Sequence, residues 1–181
     1  MARPLAEPTV RTARGIDASA IAQIYAHHVA HGTASFDTDP RSEAGTAARI
    51  AECTERGWPF LVAELDGTVI GYAYATQFRD RPAYRTTCEN SIYLDPAHLG
   101  QGVGTLLLDA LIDAATAAGF RQMIAVIGGA EPASVALHAR AGFVETGRML
   151  SVGRKHGRWL DTLYMQKRLG AGDSIPPEGE P

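Results

Sequence analysis

In this 181-residue chain, the segment Asp95–Thr105 is the one most obviously built for chemistry. It sets Gly100, Gly102 and Gly104 at alternate positions immediately before an Ala/Leu-rich run. Glycines let the backbone approach a ligand closely, and successive N–H groups at a helix N-terminus bind phosphate. The spacing excludes two common nucleotide loops. A dinucleotide fingerprint needs another glycine where Thr105 or Leu107 stands, and a P-loop needs Gly-Lys-Ser/Thr, which is absent. The competing reading is a purely geometric turn, and three alternating glycines ahead of a helix weigh against it. Upstream, strand alternation puts Glu89 on one face with Ser91 and Tyr93, and Cys88 and Asn90 on the other. A carboxylate facing the middle of a buried strand is costly unless it is used or paired, which makes Glu89 a candidate general base. An ordinary glutamate, with a pKa of about 4.3, is too weak to strip an ammonium directly, so a raised pKa or a water relay is expected.

Other reactive side chains are weaker signals. Ser134 and His138 lie one helical turn apart, and His138 reads either as an acid for a leaving group or as a packed helix residue. Arg79, Arg81 and Tyr84 precede Glu89 in a loop. Guanidinium forks and a phenol suit a carboxylate or an oxidised side-chain group, although Arg79 by itself reads as solvated. His27, His28 and His31 have no carboxylate or cysteine nearby to complete a metal set, so no metal is expected. Cys53 and Cys88 form no CxxC or Cys/His spacing and read as reduced, inert thiols.

The elements that must position these groups follow from pattern. Val10–Arg14 reads as a strand, and Asp17 as the cap of a helix running to His31 with Ile21, Ile24, Tyr25 and His28 in one stripe. Ser42 and Glu43 open a second helix that closes at Gly57. Asp66-Gly67 joins the strands 60–65 and 69–74 as a hairpin. A strand over 86–94 is followed by a helix over 104–118 carrying Leu107, Leu111 and Ala114, then a strand over 123–127. A helix over 132–141 and strands over 143–149 and 160–167 complete the chain. Lys155, His156 and Trp159 fall in the turn between the last two strands and receive no role. This order predicts an α/β domain with a mixed sheet.

With 45% hydrophobic and 20% charged residues, the chain reads as one globular domain. A net charge of −3 argues against nucleic acid as a partner. No run approaches the roughly 20 apolar residues of a membrane span, and residues 1–15 lack a signal-peptide core, so a cytoplasmic protein with no membrane partner is expected. Residues 1–8 read as an N-terminal extension, 9–169 as the domain, and the Gly/Pro/acid-rich 170–181 as a flexible tail.

At the glycine turn the chain resembles the GNAT superfamily of N-acetyltransferases, whose acetyl-CoA motif, Gln/Arg-x-x-Gly-x-Gly/Ala, corresponds to Leu99–Gly104 here. The resemblance extends through FDTDP at 36–40, WPFLVAELDG at 58–67, AYRTTCENSIYLDPAHLG at 83–100, AVIGG at 125–129, SVALHARAGF at 134–143 and GRKHGRWLDTLYMQK at 153–167. These segments are similar to one branch, the phosphinothricin acetyltransferases and their relatives acting on methionine sulfone and methionine sulfoximine. The resemblance implies a mostly antiparallel sheet splayed between its fourth and fifth strands, with helices on both faces. It implies acetyl-CoA as co-substrate and acetylation of the α-amine of a small amino acid by direct transfer, with Glu89 as general base and His138 as the candidate acid. It places Ile92, Tyr93, Leu94, Gly100, Gln101, Gly102, Val103, Gly104, Thr105, Glu131 and Ser134 on acetyl-CoA. It places Phe36, Arg81, Pro82, Ala83 and Tyr84 on the amino-acid substrate, and it implies a homodimer. Leu99 stands where the motif has Gln or Arg, and Glu131 where Asn is usual, so two side-chain contacts to acetyl-CoA differ here. The alternatives are acetylation of another amine or a protein N-terminus, and a non-catalytic acyl-CoA-binding module.

Overall fold

The structure, a computed structural model, describes residues 6–179. The expected N-terminal extension lies mostly outside them. The chain forms β1 (Thr9–Thr12), α1 (Ala18–His31), α2 (Glu43–Glu55), β2 (Phe60–Leu65), β3 (Thr68–Gln77), β4 (Thr87–Leu94), α3 (Val103–Ala117), β5 (Gln122–Gly128), α4 (Pro132–Arg140), β6 (Val144–Lys155) and β7 (Arg158–Arg168). The seven strands make one sheet in the order β1-β2-β3-β4-β5-β7-β6. Every neighbouring pair is antiparallel except β4 and β5. The element order is the expected one, with β6 and β7 extended so that only His156 and Gly157 lie between them.

Local chemistry explains most boundaries. Ser42 caps α2, its hydroxyl accepting from the Gly45 N–H at 3.1 Å. Asp66 and Gly67 both take positive φ, 50° and 79°, which is the type I′ geometry of a two-residue hairpin. Asp17 holds the expected N-cap position of α1, but its side chain does not cap the helix. It ends a short 3-10 turn with helical dihedrals, and its buried carboxylate accepts from the Arg14 N–H at 2.7 Å and from the Arg11 guanidinium at 2.8 Å instead of capping α1. A fork of charged donors outcompetes the weaker helix N–H groups for the same oxygens. Residues 170–179 form turns only, held by side-chain donors such as Arg85 to the Gly179 carbonyl at 2.8 Å and Arg168 to that of Ala171 at 2.9 Å.

Two cores sandwich the sheet. On one face Leu107, Leu108 and Leu111 of α3 pack on Ala73, Ala75, Cys88, Met123 and Ala125. On the other, Ile21, Ile24 and Tyr25 of α1 and Ile50 and Cys53 of α2 pack on Val62 and Tyr72. Truncating a fully buried leucine such as Leu107 to alanine is expected to cost about 2–5 kcal/mol.

The feature that positions the site is the divergence of β4 from β5. They pair in parallel from Thr87–Gln122 to Asn90–Ala125 and then separate. Beyond that point β4 stays paired to β3, through Ser91–Tyr74 to Leu94–Gly71, while β5 stays paired to β7, through Val126–Tyr164 to Gly128–Thr162. Opposed commitments on their outer sides pull the two strands apart, leaving a wedge in the middle of the sheet.

Candidate active site

The wedge holds a cavity of about 240 Å³ lined by both strands, the 34–36 loop, α4 and Thr162 of β7. Six of the expected residues come together there: Phe36, Glu89, Ile92, Tyr93, Ser134 and His138. Glu89 and Tyr93 share the α1 side of β4, where the Tyr93 ring meets Tyr25 edge-on at 5.2 Å. Burial raises the Glu89 pKa above the ordinary glutamate range, with the charge of Arg79 pulling it back. Among the described residues its carboxylate has no hydrogen-bond or ion-pair partner. Arg79 is exposed, as its solvated reading expects, and its guanidinium stacks 4.3 Å from the Phe78 ring.

Backbone groups follow from the ladder. The Thr87 carbonyl accepts from Phe78 and the Asp95 N–H donates to Ile70, so odd-numbered residues of β4 bond to β3. Alternation turns the peptide groups of Ile92 and Leu94 into the wedge and commits those of Tyr93 to β3. The Leu94 carbonyl already bonds the His28 ring nitrogen Nε2 at 2.7 Å.

The glycine turn lies at the far end of β4, outside the cavity. Gly100 and Gly102 take φ of 72° and 84°, and a Cβ on either would meet open space, so it is the left-handed backbone that calls for glycine there. Gly102 is the N-cap of the 15-residue α3 and no side chain caps that helix, which leaves its first N–H groups for a ligand. Thr105 and Leu99 are exposed beside it, and Val103 is buried beneath. Gly104 lies in the first turn of α3, where a Cβ would make ordinary contact, at 3.4 Å, with Leu94 and Leu137. Gln101 turns its amide back to the Ala97 carbonyl at 3.0 Å. Glu131 caps α4, its carboxylate accepting from Ser134 N–H at 2.8 Å and Ala133 N–H at 3.2 Å. An acid in that place is therefore explained by helix capping.

Arg81, Pro82, Ala83 and Tyr84 form an exposed 3-10 turn between β3 and β4, and none of them lines the cavity. Phe36 is 39% exposed and sits in a slot made by two glycines. A Cβ on Gly128 would stand 2.9 Å from the ring, and one on Gly153 would overlap it. The loop around Phe36 is anchored by buried polar groups that had no signal in the sequence. The Tyr25 hydroxyl bonds Ser35 at 2.9 Å and donates to Asp37, and Lys155 of β6 donates to the Ser35 carbonyl at 2.8 Å.

His138 is 3% exposed on α4, and burial lowers its pKa. Its Nε2 lies 2.9 Å from the Asn90 amide and its Nδ1 lies 2.8 Å from the Ser134 carbonyl. Cys88, on the same face of β4 as Asn90, is fully buried, donates to the Gln122 carbonyl at 3.5 Å, and has its thiol pushed up to about 12. It is no thiolate nucleophile. Among the described residues no cluster of His, Cys, Asp or Glu could hold a metal ion, and no helix is long and apolar enough to cross a membrane.

The chain is similar to known proteins over most of its length. The chain is 50% identical over 171 residues to a phosphinothricin N-acetyltransferase of Alcaligenes faecalis, covering 94% of this chain and 87% of that one. It is 41% identical over 166 residues to an L-methionine sulfoximine/L-methionine sulfone acetyltransferase of Salmonella typhimurium, covering 89% and 94%. The crystal structure of a GNAT superfamily phosphinothricin acetyltransferase from Sinorhizobium meliloti in complex with acetyl-CoA superposes with a TM-score of 0.93 at 50% identity, covering 95% of this chain and 94% of that one. The profile of the Acetyltransferase (GNAT) family matches residues 22–143, and the chain belongs to that family of acetyl-CoA-dependent N-acetyltransferases.

Proposed function

We propose that this enzyme acetylates the α-amine of a small amino acid or analogue, with phosphinothricin, methionine sulfoximine and methionine sulfone as the leading substrates. The observation that carries the reading is the Glu89 carboxylate, half-buried in a cavity of about 240 Å³ with no partner among the described residues. That volume lies below the roughly 300–1,000 Å³ of drug-sized pockets and suits a small acceptor. Relatives that act on these compounds by name support the choice of substrate.

The residues fit acetyl-CoA. Backbone N–H groups of the Gly100–Thr105 turn and the first turn of α3 bind the pyrophosphate. The peptide groups of Ile92 and Leu94 facing the wedge pair with the amide-bearing pantetheine arm as an added strand would. Bound acetyl-CoA supplies an activated thioester at the cavity. Glu89 takes a proton from the acceptor amine, directly or through one water, and its raised pKa makes it a stronger base for this than an ordinary glutamate. Phe36 packs against the acceptor side chain, and Arg81 and Tyr84, which stand outside the cavity on the exposed turn before β4, are the groups the family resemblance offers to its carboxylate or oxidised group. Transfer is direct, since Cys88 is sealed in the core with its thiol protonated.

The reading includes a cytoplasmic homodimer. An exposed apolar row on the last two strands, Leu150 at 71%, Trp159 at 63% and Val152 at 50% exposed, supports a contact between copies. Unbridged cysteines support a reducing compartment. The experiment is thiol release from acetyl-CoA against phosphinothricin, methionine sulfoximine, methionine sulfone, ordinary amino acids and a short peptide. Turnover confined to the first three is expected; preference for the peptide would move the assignment to protein N-termini, and acetyl-CoA binding without any turnover would move it to a binding module.

A further inference from the structure

Asn90 and His138 line the cavity, yet the chemistry above uses neither. Both are buried, and their hydrogen bonds fix one another by elimination. His138 Nδ1 faces the Ser134 carbonyl at 2.8 Å, with the Ser134 hydroxyl a more distant neighbour at 3.4 Å, so the carbonyl is its hydrogen-bond partner. A carbonyl only accepts, so Nδ1 carries the hydrogen. Burial holds the imidazole below its ordinary pKa, so the ring is neutral near pH 7 and Nε2 presents a lone pair. The Asn90 group 2.9 Å from that lone pair must then be the amide N–H. This leaves Asn90 Oδ1 turned away and buried with no partner among the described residues. An orphaned buried acceptor costs about 1–3 kcal/mol. Rotating the amide would relieve it only by setting Oδ1 against the Nε2 lone pair, unless Nε2 gained a proton.

The remaining surroundings favour the neutral ring. Phe143 meets His138 edge to face, with centroids 5.0 Å apart. Charged residues on the elements around the pair are Glu131 and Arg140 on α4, Asp109 and Asp113 on α3, and Glu89 on β4; β5 carries none. Glu131 caps its own helix, Glu89 faces the other side of the sheet, and none of the five bonds to the imidazole.

We propose that Asn90 is a positioning residue of the transfer site: acting through His138, it fixes the imidazole as the neutral Nδ1–H tautomer with both nitrogens engaged. His138 then shapes the cavity wall and does not hand a proton to the departing sulfur. The proton balance closes through water: the α-ammonium loses one proton by way of Glu89 before attack and a second to water as the tetrahedral adduct collapses, the thiolate of CoA, with an ordinary thiol pKa of about 8.5, takes one from solvent, and one proton is released. The inference rests on the reading of this cavity as the transfer site.

The test is nitrogen NMR of the full chain labelled at histidine, without ligand and with acetyl-CoA, with His138→Gln assigning the signal. The expected spectrum shows a protonated Nδ1 and an unprotonated Nε2 that persist through the acidic limb of kcat. Asn90→Asp, which sets a carboxylate against Nε2, is expected to turn the ring into an imidazolium with its pKa raised by about 1–3 units. A protonated Nε2 in the unaltered protein, or a His138 titration that coincides with the kcat limb, overturns the proposal. The measurement on the unaltered protein decides even if Asn90→Asp does not fold. Because the unliganded spectrum needs no turnover, it can fail while the acceptor panel succeeds, and the reverse.

Discussion

Glu89 and Asn90 are neighbours on β4 that line the same cavity from opposite faces of the sheet, Glu89 half-buried and Asn90 buried, and the fold treats their side chains differently. The Glu89 carboxylate is left without a hydrogen bond in a place that raises its pKa. The Asn90 amide is spent on His138, whose two ring nitrogens are both taken. A carboxylate kept free beside the cavity is available to chemistry; an imidazole whose two nitrogens are both engaged within the protein is architecture.

The sharpest way to break this contrast is to remove the free group. Glu89→Gln is expected to lower kcat by about 10²–10⁴-fold while acetyl-CoA affinity, measured by titration calorimetry, stays within a few-fold. A smaller effect is expected at the other end of β4. Gly102→Val forces a branched side chain into φ of 84°, with strain of about 1–2 kcal/mol, and should raise the KM for acetyl-CoA about tenfold with little change in the KM of the amine. Gly153→Ala drives a methyl into the Phe36 ring and should do the converse, raising the amine KM by several-fold with the KM for acetyl-CoA unchanged, in steady-state kinetics varying each substrate.

Stability against pH sharpens the same comparison, because the two faces carry opposite signs. The raised pKa of Glu89 means the folded protein prefers its protonated form; that contribution is full below the ordinary glutamate range and is lost as pH rises through the folded pKa. Glu89→Gln should therefore melt at higher temperature than the parent near pH 7, with the gap closing in acid. The lowered pKa of His138 acts the other way: its contribution is present above the ordinary value of 6.5 and is lost as pH falls through the folded pKa. His138→Gln should flatten that acid limb of the melting curve. The smallest effect is expected in the core behind Asn90: Cys88→Ala should leave kcat within about twofold and lower stability by about 1 kcal/mol, read by denaturant unfolding.

Most of the fold was legible because local rules and periodicity agreed. The Asp66-Gly67 turn, the Ser42 cap and the leucine stripe of α3 all follow from residue type. Glu89 was legible for the same reason, since alternation alone assigns its face. Asp17 holds the N-cap position read from the sequence, but its carboxylate goes to Arg11 of β1, a partner that leaves no pattern at the helix start. The anchoring of Phe36 by Ser35 and Lys155 joins residues 120 positions apart, and the Asn90–His138 pair spans 48, so neither could be read from spacing. The capping role of Glu131 is legible in its place directly before Pro132, where an acid at a helix start can accept from the first free N–H groups.

The central claim is that the free carboxylate of β4 is the base. The most direct measurement is the pH dependence of kcat/KM for methionine sulfone with the parent enzyme and with Glu89→Gln, under saturating acetyl-CoA. The account predicts an acidic limb in the parent, placed above the ordinary glutamate range, and its disappearance together with most of the rate in the variant. An acidic limb that survives the substitution with the rate intact would contradict it.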